Sequence, residues 1–403
     1  MGEEQSRFMR FLHTADWHLG RLLHGVALLE DQAHVLEQVL GVAQQERPDF
    51  LLIAGDVYDR AVPSAEAVEL LSTTLERLAL DLKLPTLVIA GNHDCPQRLG
   101  FGTRLLAQSG VRVAGNLTAA CCDEPFTLTT ANGEQADIFL LPYAEPAVCR
   151  ARLEDPAVRC HDSAMGALTS RMRRQAAASG EPGRRRVLVG HAYVDGSEAT
   201  DSERPLSVGG AGTVSAAHFA GFDYVALGHL HRPQRVGEVA RYAGSLLKYS
   251  FSEARDRKSV TMVEMPAGGG PTHCWDIPLS PRREVSTLTG TFQELCAQAA
   301  DDPRREHYLS VDLLDDVMVL DAKGRLEEHY PHILHLDRRI LRRAAEGGAD
   351  GATAGSELRR IGPESVFAAF YRDVRGSELT AEQARAFRET MSALPAELHT
   401  VLT

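Results

Sequence analysis

No stretch of this chain approaches the roughly 20 uninterrupted apolar residues that a bilayer-spanning helix requires. Its N-terminus, Met1-Gly2-Glu3-Glu4, is acidic rather than basic, and the apolar segment Phe8 to Leu12 is broken by Arg10. Neither a membrane span nor a signal peptide is readable, so a cytoplasmic protein without membrane contact is expected. Cysteine is sparse and unpatterned, with seven residues at 95, 121, 122, 149, 160, 274 and 296 and no Cys-x-x-Cys pair. An odd, irregular set argues against a disulfide or zinc-thiolate framework and for reduced thiols. Positive charge is in deficit, 43 Lys+Arg against 55 Asp+Glu, for a formal net charge of −12. A chain that grips nucleic acid draws much of its affinity from Lys and Arg. This balance leaves two routes to such a role: cations bound at a carboxylate-rich site, or a partner subunit carrying the main binding surface.

What is present is a core. The 403 residues, 44% of them hydrophobic, suffice for two or three domains. Apolar runs at Phe8–His13, Phe50–Ala54, Thr86–Ala90, Ile138–Leu141, Arg186–Val189, Tyr224–Leu227 and Val260–Glu264 read as strands buried on both faces. Between the first two, Leu29, Leu36, Leu40 and Ala43 recur at helical spacing. Between the second and third, Pro63-Ser64 starts a helix expected to bury Val68, Leu71, Leu75 and Leu78. Alternating strands and helices pass into a strand-rich second half, which implies a layered α/β sandwich with mixed sheets.

Five short segments each place oxygen or nitrogen donors where an apolar run stops: Asp16-Trp17-His18, Gly55-Asp56-Val57-Tyr58-Asp59, Gly91-Asn92-His93-Asp94, Gly190-His191, and Gly228-His229-Leu230-His231. In open α/β sheets ligands bind at the carboxyl ends of strands, so distant segments can converge on one edge. Singly, each has a plain reading; Gly-Asn-His-Asp, for instance, is also a turn sequence. Five in order, each closing an apolar run, point to two divalent metals. Asp16 and His18, two apart, can serve one metal; Asp56 is the natural bridging carboxylate; Asn92 offers a neutral oxygen; His191, His229 and His231 complete the donors. Mixed nitrogen and oxygen without thiolate favours Mn²⁺, Fe²⁺ or Zn²⁺. Two adjacent metals are the usual apparatus for hydrolysing a phosphate ester, and His93, next to a ligand, is placed to help the leaving oxygen.

Beyond about residue 280 the character changes to a small α+β pattern, with strand-like Leu309–Leu314 and Val317–Leu320 and a helix over Phe292–Ala300. Glycines 347, 348, 351 and 355 mark a linker. Two amphipathic helices follow, one near Pro363 carrying Phe367, Phe370, Tyr371 and Val374, the other opened by a Thr380–Gln383 capping box and carrying Ala384, Phe387, Met391 and Leu394. Two arginine groups, one at 171, 173, 174, 184, 185 and 186 and one at 338, 339, 342 and 343, read first as solvated surface and only second as candidates for phosphate contact.

The ordered motifs are similar to those of the calcineurin-like metallophosphoesterase superfamily. Longer stretches, His13-Thr-Ala-Asp-Trp-His-Leu-Gly20, Leu52-Ile-Ala-Gly-Asp-Val-Tyr-Asp59, Ala226-Leu-Gly-His-Leu-His-Arg232, Tyr242-Ala-Gly-Ser245 and Ser250-Phe-Ser-Glu253, resemble its SbcD branch over about residues 8 to 280. That resemblance implies a four-layer α/β/β/α sandwich at 1–280, an α+β capping domain that contacts DNA at 281–346, a linker at 347–362 and a helical partner-docking segment at 363–403. It implies one metal on Asp16, His18, Asp56 and His231, a second on Asp56, Asn92, His191 and His229, and His93 as the catalytic histidine. It further implies a manganese-preferring nuclease: an ATP-dependent exonuclease on double-stranded DNA ends and an endonuclease on single strands and hairpins. Its partner would be an SbcC-type coiled-coil ATPase, in a heterotetramer built on a homodimer of this chain. Asp59 stands where archaeal and eukaryotic members carry a histidine that helps exonuclease work, an acid being similar to other bacterial members; a catalytic role, a helix N-cap and an acceptor behind the ligands all stay open for it.

Three alternatives are weaker. Protein serine/threonine phosphatases of the superfamily read Gly-Asp-x-x-Asp-Arg-Gly and Gly-Asn-His-Glu, whereas here Asp59-Arg60 precedes Ala61 and the third motif ends in Asp94. A small-molecule or cyclic-nucleotide phosphodiesterase leaves the chain beyond residue 280 unexplained. A non-catalytic scaffold leaves the full ligand set and His93 unexplained.

Overall fold

The computed structural model describes residues 8–118, 120–178, 184–203, 212–266, 269–316, 319–339, 367, 371 and 379–392. The chain divides into two units, Met1–Val285 and Ser286–Thr403.

The first unit holds two six-stranded mixed sheets. In one, β1 (Phe8–Thr14), β2 (Phe50–Ala54), β3 (Thr86–Ile89) and β4 (Val111–Ala114) run parallel in that spatial order. The other comprises β5 (Phe126–Thr129), β6 (Gln135–Leu140), β7 (Arg185–His191), β8 (Tyr224–Gly228), β9 (Gln234–Val236) and β10 (Ala240–Tyr242), with β6, β7, β8 and β10 parallel. Strands β11 (Ser259–Pro266) and β12 (His273–Pro278) extend the first sheet, β11 pairing antiparallel to β1.

The central strands are apolar on both faces because both faces are covered. Phe11, Phe50, Leu52, Leu87 and Ile89 from the first sheet meet Ile138, Val187, Val189, Tyr224 and Ala226 from the second in one buried cluster. Helices α1 (Leu29–Glu46) and α2 (Ala65–Glu76) connect successive parallel strands. Right-handed crossovers put both on the same outer face of the first sheet. On the far side of the second sheet, α3 (His161–Ala178) buries Met165, Leu168 and Met172 against Leu188, Val225 and Leu227. Helix, sheet, sheet, helix is the four-layer sandwich expected.

One helix face differs from expectation. The buried stripe running from α2 into the turn after it is Ala67, Leu71, Thr74 and Leu78, while Val68 is exposed. Small Ala67 and Thr74 permit close packing on the sheet, which rotates Val68 and Leu75 toward a groove of about 280 Å³ that they share with Leu80, Leu99 and Phe101.

The second unit contains a three-stranded sheet, β13 (Val285–Gly290), β14 (Tyr308–Leu313) and β15 (Ile333–Arg338), with α4 (Phe292–Gln298) and α5 (Ala322–Glu327). Leu288, Leu295, Leu309, Val311, Leu326 and Tyr330 form its own core. Of the strand expected at Val317–Leu320, residues 317 and 318 lie outside the described residues, and exposed Leu320 is in the turn before α5 rather than in a strand. The linker at 347–362 and most of the first tail helix also lie outside the described residues. The second tail helix, α6 (Ala381–Ser392), opens with the reciprocal Thr380 and Gln383 bonds of a capping box. Phe387 stacks on Phe367 at 4.2 Å between ring centroids. None of the described helices is long and apolar enough to cross a membrane.

The first arginine group proves largely structural. Arg171 grips Asp123 with two nitrogens at 2.6 and 2.5 Å, Arg173 caps the His218 carbonyl, and Arg184 and Arg185 pair with Asp137 and Asp223. In the second, Arg339 bonds to Asp316, and residues 342 and 343 lie outside the described residues.

Candidate metal centre

The carboxyl ends of β1, β2, β3, β7 and β8 meet at one edge of the sandwich, and each delivers one of the five segments. The loops leaving β1 and β2 are stitched together by Asp16 N–H to the Gly55 carbonyl (3.0 Å) and His18 N–H to the Asp56 carbonyl (2.9 Å). These loops are tightly bent: Asp16, His18, Asp56 and His229 all have positive φ, between 45° and 107°. A non-glycine residue in the left-handed region costs roughly 1 kcal/mol. Such strain persists where surrounding structure holds it, and concentrates at functional sites. Composition and periodicity give no sign of it.

Two donor groups are made only of predicted ligands, and a third, less buried, joins His18 to Asp59 and His93. Asp16, His18 and His231 bring one ligand atom each to within 4.8 Å of one another, and so do Asp56, His191 and His229. His18 Nε2 and His231 Nε2 are 3.1 Å apart. Asn92 Oδ1 lies 2.9 Å from His191 Nε2 and 3.1 Å from His229 Nδ1, joining the second group. The two groups share a face: Asp56 Oδ2 is 3.4 Å from His191 Nε2 and 3.6 Å from His18 Nε2. Asp16 also receives the His229 N–H at 3.0 Å, tying the first loop to the last. All seven predicted ligands are therefore in one place.

The tautomers suit cation binding. His191 Nδ1 faces the Ala54 carbonyl at 2.9 Å; a carbonyl only accepts, so this nitrogen carries the proton and Nε2 faces inward. His93 Nδ1 likewise faces the Asp59 carbonyl at 2.8 Å, leaving Nε2 toward Asp56 Oδ2, 3.9 Å away.

Electrostatics add to the case. Burial pushes the Asp16 carboxyl well above the ordinary range and His229 well below its own, and lowers His18 to about 4. Burial also opposes ionisation of Asp56, yet His191, His18 and His93 around it hold it well below the usual carboxylate range. In turn Asp56 lifts His191 to about 9 against the pull of burial. Positive charge thus already occupies the position beside Asp56 that a cation would take, and cation binding would release it as a proton.

Three residues outside the ligand set shape the cluster. Asp94 accepts from Gly91, Val57 and Tyr58 N–H groups at 2.9 to 3.1 Å, locking the loop after β3 onto that after β2. Gly91 has no room for a side chain: a methyl group there would overlap Asp56 Oδ1 and its backbone nitrogen. Asp59 is not a helix cap, since Ser64 caps α2. It binds Arg21 Nη1 at 2.9 Å and faces His18 Nδ1 at 3.6 Å, and these partners bring its carboxyl down to about 2 although burial works the other way.

The chain is similar to known proteins over nearly its whole length. Residues 9–233 match the calcineurin-like phosphoesterase family, and residues 281–375 match the type 5 capsule protein repressor C-terminal domain. The chain is 31% identical over 387 residues to the SbcD subunit of the nuclease SbcCD from Staphylococcus saprophyticus, covering 96% of this chain and 98% of that protein. It is 30% identical over 385 residues to the SbcD subunit from Staphylococcus epidermidis, covering 95% and 98%. With its metallophosphoesterase sandwich and full-length likeness to these proteins, the chain belongs to the calcineurin-like phosphoesterases, in the family of SbcD nuclease subunits.

Proposed function

We propose that this chain is the nuclease subunit of a DNA-end-processing complex, hydrolysing phosphodiester bonds with two divalent ions, Mn²⁺ by preference. The observation that carries the reading is the position of Asp56, whose Oδ2 faces both donor groups at 3.4 to 3.6 Å. On this reading Asp16, His18, Asp56 and His231 hold one ion, and Asp56, Asn92, His191 and His229 the other. Bound there, two such ions supply charge neutralisation for the phosphate and a nucleophilic water at neutral pH. The side chains do the rest. The Asp59 carbonyl fixes the proton of His93 on Nδ1, so Nε2 is the atom that exchanges a proton with the leaving oxygen.

The relatives are each one subunit of a nuclease called SbcCD, which supports an SbcC-type coiled-coil ATPase as partner. With it the chain would act as an ATP-dependent exonuclease on double-stranded ends and an endonuclease on single strands and hairpins. The net charge of −12 fits a division of labour in which the partner carries much of the DNA surface. Residues 281–346 would contact DNA as a cap, and 363–403 would dock on the coiled coil. A second copy of this chain would cover the groove beside α2, where Phe101 is 85% exposed and Leu80 61%. Exposed apolar surface of this kind marks an interface. A Mn²⁺ assay on blunt duplex, hairpin and small phosphodiester substrates, with and without the ATPase, tests the function. Cleavage of duplex and hairpin supports it, and activity confined to the small diester rejects it.

A further inference from the structure

Two of the segments that stand out in the sequence, Tyr242-Ala-Gly-Ser245 and Ser250-Phe-Ser-Glu253, contribute no donor to either group. They meet instead behind His231. Every polar atom of His231 except Nε2 has a partner outside the donor groups. Its N–H donates to Glu203 Oε1 at 2.8 Å, and its carbonyl accepts from Lys258 Nζ at 2.7 Å and from Ser245 N–H at 3.1 Å. Its Nδ1 lies 2.5 Å from Ser202 Oγ.

Proton counting settles the direction of that last bond. Ser202 Oγ also lies 2.5 Å from Glu253 Oε1. Glu253 is wholly buried, with Lys258 Nζ at 2.5 Å from its other oxygen and further donors in Ser250 Oγ (3.1 Å) and Tyr249 N–H (3.3 Å). The Lys258 ammonium, buried against this carboxyl, is matched only by an ionised partner, so Glu253 is a carboxylate and only accepts. The single hydroxyl proton of Ser202 therefore goes to Glu253. Ser202 Oγ must then accept from His231, which places the imidazole proton on Nδ1 and leaves the Nε2 lone pair facing His18.

We propose that Ser202, Glu253 and Lys258 form a positioning unit that fixes the tautomer and orientation of His231 as a metal ligand. The unit works through a serine relay, with the carboxylate one bond removed from the histidine. Lys258 keeps the carboxylate charged and at the same time anchors the backbone of the residue it serves. The inference rests on the reading of His231 as a ligand. It gives the Ser245 and Glu253 segments a role that their distance from the donors conceals.

The test uses the full-length chain and Mn²⁺ alone. In the metal-free protein, long-range ¹H–¹⁵N correlation spectra of the imidazoles report the tautomer, with His231→Ala identifying the resonance. Wild type and Ser202→Thr, which keeps the hydroxyl, should show His231 protonated on Nδ1. Ser202→Ala should redistribute the proton toward Nε2. By calorimetric titration Ser202→Ala and Glu253→Gln should weaken one of two Mn²⁺ sites by about 10- to 100-fold, as loss of a ligand's outer partner does, and Ser202→Thr should restore it. If tautomer and both affinities are unchanged in Ser202→Ala while His231→Ala loses one site, the positioning unit is rejected and the ligand assignment stands. If His231→Ala keeps both sites, the ligand assignment itself fails and the proposal falls with it.

Discussion

His93 donates its Nδ1 proton to the main-chain carbonyl of Asp59 across 2.8 Å, so a backbone atom fixes its tautomer and leaves Nε2 toward Asp56. The imidazole is near Asp56 but outside both groups of predicted ligands; it lies instead in the third group, with His18 and Asp59. Replacing His93 by Ala should leave both Mn²⁺ affinities within about threefold of wild type and lower phosphodiester cleavage by about 10² to 10⁴. Metal titration alongside a single-turnover cleavage assay checks this; loss of metal together with activity would mean that His93 is a ligand.

Gly91 should be intolerant of even one carbon. A methyl group would overlap Asp56, whose carboxylate faces both groups of predicted ligands. Gly91→Ala should destabilise the metal-free chain by about 1–3 kcal/mol, the usual scale for overpacking, and abolish binding of both ions. Urea unfolding and Mn²⁺ titration measure the two effects. A variant that binds two ions normally would show that the approach of these loops is not required.

The paired, buried Glu253 makes stability depend on acid. Its carboxyl is held below the ordinary glutamate value of 4.5, so its stabilising contribution is complete above that pH and is lost as pH falls below it. The stability advantage of wild type over Glu253→Gln, measured without metal, should be flat from about pH 8 to 5 and shrink below about 4. A gap that persists unchanged into acid would mean the carboxylate is not charged in the folded chain.

Much of this architecture is legible in the chain itself. Buried parallel strands need continuous apolar runs, so Phe50–Ala54 and Tyr224–Gly228 stand out, and the residues following them are marked as a strand-end site. What the sequence hides is non-local. Arg171, Arg184 and Arg185 read as a free basic group because Asp123, Asp137 and Asp223 lie 38 to 48 residues away. Ser202 carries no motif and acquires its role only because Glu253, 51 residues on, folds against it. The face of α2 is misleading in sequence because apolar Val68 and Leu75 outrank Ala67 and Thr74 in hydrophobicity, while close packing on a sheet favours the smaller pair.

The tail should carry a function separable from the metal centre. Among the described residues of α6, Ala384, Phe387 and Met391 are half-buried and their neighbours exposed, a narrow stripe suited to a helical partner. Deleting residues 363–403 should leave Mn²⁺-dependent single-strand cleavage and remove association with the coiled-coil ATPase. Co-purification of the truncated chain with that ATPase would place the docking surface elsewhere.

The central claim is that Asp56 joins two metal ions in one cluster. Electron paramagnetic resonance of the full-length chain titrated with Mn²⁺ tests it most directly. Two equivalents should bind per chain and give the multiline signal of an exchange-coupled pair, and Asp56→Ala should abolish that signal. A single uncoupled ion per chain, or a coupled pair that survives Asp56→Ala, would contradict a bridging role for this carboxylate.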